Sequence, residues 1–129
     1  MGDTIILVVD DSPDNLTLLV DALRSLYKIK IATGGVKALA IAATAPQPDL
    51  ILLDIMMPEM DGFEVCRRLK ADEGTKGIPV IFLSGNTEEV DREKGMSLGA
   101  RGYLTKPIDP EALIAKVQAV LASQAGVSS

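Results

Sequence analysis

Five short segments of the chain have the length and composition of β-strands. They are residues 4–9, 27–32, 49–53, 78–83 and 102–105. The first, third and fourth are almost continuously apolar, which is typical of strands that are covered on both faces. The second alternates instead, with Tyr27, Ile29 and Ile31 on one side of the strand. Lys28 and Lys30 lie on the other side, so we predict an edge strand with one face in water.

The segments between these strands carry apolar residues at helical spacing. Helices are predicted after Ser12, around residues 36–43, after Asp61, over residues 88–98 and after Asp109. Ser12 and Asp61 are residue types that cap helix N-termini, and Pro13 suits a first helical turn. The fourth helix is expected to be the least stable, because Gly95 inside it costs up to about 1 kcal/mol relative to alanine.

This alternation of strands and helices predicts an α/β protein. We expect a doubly wound, five-stranded parallel sheet with five helices covering both faces, as in flavodoxin-like folds. The edge character of the second strand favours the sheet order 2-1-3-4-5. Residues 1–123 are assigned to one domain, and the small, polar residues 124–129 are expected to form a flexible C-terminal tail.

The composition narrows the possible functions. The chain has 129 residues, of which 47% are hydrophobic and 24% charged, so disorder along its whole length is excluded. A net charge of −5 argues against direct binding to nucleic acid. Because no apolar stretch approaches about 18 residues and no secretory signal is visible, we expect a cytoplasmic protein without a membrane segment.

Residue types that are rare or missing narrow the chemistry further. The chain contains no histidine and one cysteine, Cys66. Catalytic dyads and triads that depend on histidine are therefore excluded, as is an internal disulfide. No glycine-rich nucleotide-binding loop is present, since Gly34-Gly35 lacks the required lysine and spacing. A carboxylate is then the best available nucleophile.

Polar side chains follow the predicted strands where the strands end. Asp10 and Asp11 follow the first strand, Asp54 the third, Ser84 the fourth and Lys106 the fifth. Because ligands bind at the carboxyl ends of the strands in such sheets, we expect these groups to meet at one edge. Three carboxylates in one cleft repel each other, and Mg²⁺, which prefers oxygen ligands, would relieve that repulsion.

This arrangement suits a small anionic group such as a phosphoryl group. Mg²⁺ and Lys106 together would balance the three negative charges of the aspartates. Asp54, which lies centrally in the predicted sheet, is positioned to accept the phosphoryl group and form an aspartyl phosphate. Ser84 would donate a hydrogen bond to a phosphoryl oxygen.

Four motifs make the chain similar to a known family. They are VVDDS at residues 8–12, LLDIMMPEMDG at 52–62, LSG at 83–85 and YLTKP at 103–107. In this order and spacing they resemble the receiver domains of two-component response regulators, over about residues 5–121. The resemblance implies that Asp54 is the phosphoacceptor of a phosphorelay and that Lys106 pairs with it.

The resemblance also implies a metal site and a switch. Asp10, Asp11, Asp54 and the backbone carbonyl of Met56 would hold Mg²⁺, with Mn²⁺ as a possible substitute. Ser84 and Tyr103 match the two switch positions of the family, and a cis peptide is expected between Lys106 and Pro107.

The partners that the resemblance implies are proteins. A histidine kinase or a phosphotransfer protein would donate the phosphoryl group. A downstream protein target would bind the face formed by the fourth helix, fifth strand and fifth helix. We expect a single-domain regulator that is not an enzyme, although it would assist its own phosphorylation and dephosphorylation; a piece of a longer regulator is the alternative.

Two other functions are compatible with parts of the pattern. A Mg²⁺-dependent phosphatase of the aspartyl-phosphate type would use the same nucleophile, but its second aspartate, two residues further on, corresponds here to Met56. A binding module on a flavodoxin-like fold would need a first loop that cradles phosphate. The loop Asp10-Asp11-Ser12 is acidic and would repel phosphate in the absence of a metal.

Overall fold

The computed structural model of the chain describes residues 4–85 and 89–127. Strands and helices alternate along these residues as predicted. The strands are β1 (Ile5–Val9), β2 (Lys28–Ala32), β3 (Leu50–Asp54), β4 (Val80–Ser84) and β5 (Gly102–Thr105). The helices are α1 (Pro13–Leu23), α2 (Gly35–Ala43), α3 (Gly62–Ala71), α4 (Glu89–Ser97) and α5 (Pro110–Val127).

The strands form one parallel sheet in the order β2-β1-β3-β4-β5, which confirms the predicted topology. Val9 of β1 is paired with Leu53 of β3, and Asp54 at the end of β3 is paired with Leu83 of β4. The neighbouring strands therefore end almost level with each other. This register brings the residues that follow β1, β3 and β5 to the same edge of the sheet.

Two apolar clusters lie on opposite faces of the sheet. Leu7, Val9 and Phe82 belong to the cluster that also includes side chains of α2 and α3. Ile6 and Val8 belong to the other, which includes side chains of α1 and α5. Alternate residues of β1 thus point into different cores, which explains why the strand is apolar at every position.

Strand β2 lies at the edge of the sheet, as its lysines predicted. Its two faces are less distinct than the alternation predicted. Ile31 is 42% exposed, whereas Lys30 is half-buried and donates a hydrogen bond from Nζ to the Pro46 carbonyl at 2.7 Å. At the edge of a sheet, helices cover neither face completely, so the side chains of both faces remain partly in water.

The predicted caps are present at two helices. The Ser12 hydroxyl accepts from the Asn15 N–H at 3.5 Å, and the Asp61 carboxylate accepts from the Glu64 N–H at 2.9 Å. Each carboxylate or hydroxyl satisfies one of the N–H groups that have no partner within the helix. Within the described residues, no helix combines the length and the apolar character needed to cross a membrane.

The domain boundary predicted at residue 123 lies within helix α5 and stays a prediction. Helix α5 continues through Val127, into the segment 124–129 that we assigned to a tail. The Arg101 guanidinium donates to the Ser123 hydroxyl at 3.0 Å and to the Gln124 side-chain carbonyl at 2.6 Å. These contacts to the rest of the fold stabilise the last turns, and sequence composition alone does not reveal them. Ser128 and Ser129 lie outside the described residues, as does Glu88 at the predicted start of the fourth helix.

Gly95 of α4 has a packing role that its helix propensity does not show. It is buried against the ring of Phe82, and a Cβ at this position would lie 2.8 Å from Cδ2 of that ring. Phe82 is fully buried and contacts Phe63 edge to face, with 5.3 Å between the ring centroids. The glycine therefore allows α4 to approach β4 more closely than any other residue would allow.

We expect Gly95→Ala to destabilise the protein although alanine favours helix formation. Crowding against a fully packed ring costs about 1–3 kcal/mol, whereas the gain in helix propensity is at most about 1 kcal/mol. The free energy of unfolding, measured in urea, should fall by about 1–2 kcal/mol. Gly77→Ala is the matched control, since nothing lies within 4 Å of the added Cβ. Equal or greater stability of Gly95→Ala would contradict the packing role.

Candidate functional site

The centre of the site is an ammonium group between two buried carboxylates. Lys106 follows β5, and its Nζ donates to Asp54 Oδ1 at 3.0 Å and to Asp10 Oδ2 at 3.2 Å. Asp10 is 0% exposed and Asp54 is 2% exposed. Asp10, Asp54 and Lys106, predicted from three different strand ends, are therefore in direct contact.

Asp10 is held in place by one hydrogen bond to the end of β2 and by another from the turn that leads into α1. Its backbone N–H donates to the Ala32 carbonyl at 3.2 Å, which ties the end of β1 to the end of β2. Its Oδ1 accepts from the Ser12 N–H at 2.9 Å, within the turn that leads into α1. With Oδ2 bound to Lys106, both oxygens of this buried carboxylate have a donor, as burial of a charge requires.

Asp10, Asp11 and Asp54 form a group suited to a metal ion. Each offers one carboxylate oxygen, and these oxygens lie within 4.8 Å of one another. Asp10 and Asp54 are buried, whereas Asp11 is exposed at the rim. Mg²⁺ prefers oxygen ligands, and in proteins it is commonly coordinated by one or two carboxylates together with several water molecules. The residues present therefore fit the expected metal.

Burial and charge determine the pKa values of the central pair. Burial, the largest influence, and the neighbouring charge of Asp10 raise the pKa of Asp54 to about 6, although the hydrogen bond from Lys106 opposes them. For Lys106, burial by itself lowers the pKa, but the carboxylates of Asp54 and Asp10 raise it overall above its ordinary value. Lys106 is thus a permanent cation at neutral pH.

The β3–α3 loop follows Asp54 directly and is closed by backbone hydrogen bonds. The Ile55 N–H donates to the Leu83 carbonyl at 3.1 Å, and the Gly62 N–H donates to the Ile55 carbonyl at 2.8 Å. Between them, Glu59 adopts a left-handed backbone conformation with φ of 70°. The Met56 backbone hydrogen-bonds to Asp54, and its side chain is 73% exposed beside the site. The Met56 carbonyl stays a prediction as a metal ligand.

Ser84 and Tyr103 lie on the neighbouring strands. Ser84 ends β4, is buried, and accepts a hydrogen bond from the Lys106 backbone N–H at its carbonyl, at 2.6 Å. Tyr103 of β5 is half-buried and packs against the apolar cluster that includes α2 and α3. The cis peptide between Lys106 and Pro107 is confirmed. The switch roles of Ser84 and Tyr103 stay predictions.

Gly62 also contacts the site, and the sequence did not predict this contact. The sequence pattern identifies Asp61-Gly62 as part of a motif and as the start of a helix. In the structure the backbone of Gly62 packs directly on the backbone of Asp54 and Ile55. The signal was the position of a glycine inside the predicted first turn of a helix, where a more favourable helix former is normally expected.

Comparisons of the sequence and of the structure with known proteins lead to the same family. A family model described as the response regulator receiver domain matches residues 6–118. Protein PilH of Pseudomonas aeruginosa is 41% identical over 118 residues, which cover 91% of this chain and 97% of that protein. The chemotaxis protein CheY4 of Vibrio cholerae has a similar structure, with a TM-score of 0.86, 32% identity, and coverage of 92% and 99% of the two chains.

Two further comparisons concern the metal and the length of the chain. The Mn²⁺-bound form of response regulator Rcp1 has a TM-score of 0.77 and 31% identity, with 91% of each chain covered. Other curated relatives, 43–47% identical, are longer. The chain spans between 25% and 48% of their length.

We expect Lys106→Ala to destabilise the protein in the absence of metal. The substitution leaves Asp10 and Asp54 without the cation that they share, which costs about 2–3 kcal/mol. Adding Asp54→Asn should recover part of the loss, because it removes one of the two repelling charges. Urea denaturation of the single and double variants measures both effects, with the exposed Lys37→Ala as control. Additive effects of Lys106→Ala and Asp54→Asn would contradict the shared interaction.

Proposed function

Because the chain belongs to the family of response regulator receiver domains, the phosphoacceptor domains of two-component signal transduction, we propose that Asp54 accepts the phosphoryl group. The observation that carries this proposal is the contact of Asp54 with Lys106 beside Asp10 and Asp11. Asp54 is the carboxylate of this group that ends the central strand, where β4 pairs with it. Its side chain is the nucleophile of the proposed site.

The proposed reaction is an in-line transfer from a phosphohistidine. An oxygen of Asp54 attacks phosphorus and forms a P–O bond, while the P–N bond to the donor imidazole breaks. The electron pair of that bond goes to the imidazole nitrogen, which takes up a proton. Such transfer depends mainly on positioning and on charge stabilisation. The strand end would supply the positioning of the nucleophile.

Lys106 and the aspartates provide the charge balance in this scheme. Lys106, held 3.0 Å from Asp54, is placed to interact with an oxygen of the incoming group. Receiver domains bind Mg²⁺ at an acidic pocket, and here Asp10, Asp11, Asp54 and the Met56 carbonyl would hold it, or Mn²⁺ in its place. When bound, the ion offsets the negative charge of the phosphoryl oxygens. The oxygen-rich donor set supports this assignment.

The proposed signal starts at Ser84 and Tyr103. The Ser84 hydroxyl would donate to a phosphoryl oxygen on Asp54, since β3 and β4 are neighbours and both end at this edge. Tyr103, on the next strand, would then change its packing. A downstream protein would read this change on the face formed by α4, β5 and α5.

Response regulators receive the phosphoryl group from histidine kinases, and we propose a histidine kinase or a phosphotransfer protein as the donor here. The chain is a signalling protein, and its own residues would assist phosphorylation and dephosphorylation without acting on a separate substrate. The phosphatase alternative is not favoured, because the family model that matches is the response regulator receiver domain and Met56 occupies the position of the second aspartate.

We expect a small phosphodonor such as acetyl phosphate, with Mg²⁺, to add one phosphoryl group to the protein. The product should be labile in base, as an acyl phosphate is, and Asp54→Ala should abolish labelling. Intact-mass spectrometry measures the modification. Asp21→Ala, which removes an exposed carboxylate from α1, is the control and should be labelled normally. Normal labelling of Asp54→Ala would refute Asp54 as the acceptor.

We expect Asp11→Asn to raise stability without metal and to weaken Mg²⁺ binding. Removing one of three clustered charges should raise the metal-free Tm by about 2 °C, a small effect because Asp11 is exposed. The Mg²⁺ concentration that half-saturates the thermal shift should rise at least about tenfold, since a ligand is lost.

Asp14→Asn removes the same charge from an exposed position in α1 and provides the control. It should leave the Mg²⁺ response unchanged. A marked fall in the metal-free Tm of Asp11→Asn would show that the three aspartates do not repel each other as proposed.

A further inference from the structure

Gly62, the first residue of α3, makes an unusually close backbone contact with the site. A Cβ at this position would overlap the Asp54 carbonyl oxygen and would lie 2.9 Å from the Ile55 Cα. These neighbours are backbone atoms, which cannot rotate away as the end of a flexible side chain can. Any side chain at position 62 therefore forces a displacement of about 1 Å to restore ordinary contact distances.

The displacement would fall mainly on the end of β3. Helix α3 is anchored by buried side chains at Val65, Cys66 and Leu69. Asp54, in contrast, is the last residue of its strand. The ladder between β1 and β3 ends at Leu53, so the sheet register pairs Asp54 on the β4 side only.

Gly62 is also the residue that closes the β3–α3 loop. Its N–H donates to the Ile55 carbonyl at 2.8 Å, so the same residue contacts both ends of the Asp54–Ile55 segment. Met56 lies inside the closed loop, and its backbone hydrogen-bonds to Asp54. A shift at position 62 would thus move the acceptor and the adjoining loop together.

We propose that Gly62 is a positioning residue for the phosphoryl transfer. Its missing side chain lets the first turn of α3 support the Asp54 backbone, which sets the position of the carboxylate relative to Lys106 and to the other aspartates. This inference rests on the proposed role of Asp54 as the acceptor.

The test compares Gly62→Ala with wild type at saturating Mg²⁺, using acetyl phosphate as the donor. We expect the phosphorylation rate constant of the folded protein to fall about 10–100-fold, since a nucleophile displaced by about 1 Å reacts poorly. The Mg²⁺ concentration that half-saturates the thermal shift should also rise. A purely structural role would lower the Tm without changing either quantity in the folded protein.

Gly35→Ala is the matched control. Its Cβ would press on Val65 at 2.8 Å and on Met60 at 2.9 Å, and thus on the same helix and loop, but through side chains. It should keep the wild-type rate constant. A wild-type rate in Gly62→Ala, or an equal loss in Gly35→Ala, would overturn the inference. Failure of wild type to be labelled at Asp54 would instead refute the proposed function.

If Gly62→Ala does not fold, the cap of α3 provides a second test. Asp61→Ala removes the bond to the Glu64 N–H and loosens the turn that carries Gly62, whereas Asp61→Asn retains a good cap. We expect a slower rate in the folded Asp61→Ala protein and recovery in Asp61→Asn. Wild-type rates in both variants would overturn the inference.

Discussion

The site depends on one unfavourable arrangement, in which two buried carboxylates share a single ammonium group. Asp10 and Asp54 are almost completely removed from water, and Lys106 donates to both. One cation does not neutralise two anions, so the pocket keeps an excess of negative charge. Burial, the largest influence, raises the pKa of Asp54, and the charge of Asp10 adds to that rise, which is the part that reflects the excess of negative charge. Any added positive charge, from a metal ion above all, would be bound partly because it relieves this cost.

The parallel sheet makes such an arrangement possible. Apolar strands that are buried on both faces are held by the packing around them, and the parallel direction brings their ends to one edge. Repulsion among the aspartates is therefore balanced by packing elsewhere, in the two cores on either side of β1, β3 and β4. The stability of the fold and the reactivity of the site are therefore linked. Packing of the fold holds together aspartates that would otherwise move apart.

Most of the fold and the placement of the central site residues were predictable, because they depend on short patterns along the sequence. Continuous apolar runs identified the buried strands, and the Lys28 and Lys30 alternation identified the edge strand, which together determined the sheet order. Asp10, Asp54 and Lys106 could be placed together because each follows a strand. The end of α5 was not predictable, since Arg101 holds Ser123 and Gln124 from another part of the fold. The close contacts of Gly62 and Gly95 were not predictable for the same reason. The effect of a glycine's missing side chain depends on the atoms that pack against it, which come from other parts of the fold.

The site has one side that is exposed to solvent and one side that is buried in the fold. Asp11 and Met56 lie at the rim and are exposed, whereas Asp10, Asp54 and Ser84 lie within. In the proposed reaction, a donor would therefore approach Asp54 from this exposed side, past two side chains that do not belong to the cores. On the buried side, Ser84 and Tyr103 occupy neighbouring strands that are packed into the cores. Negative charge added at Asp54 would therefore act first on Ser84 and Tyr103, whose strands are packed against their neighbours. Because packed side chains cannot move independently, a local change of this kind can alter a distant surface.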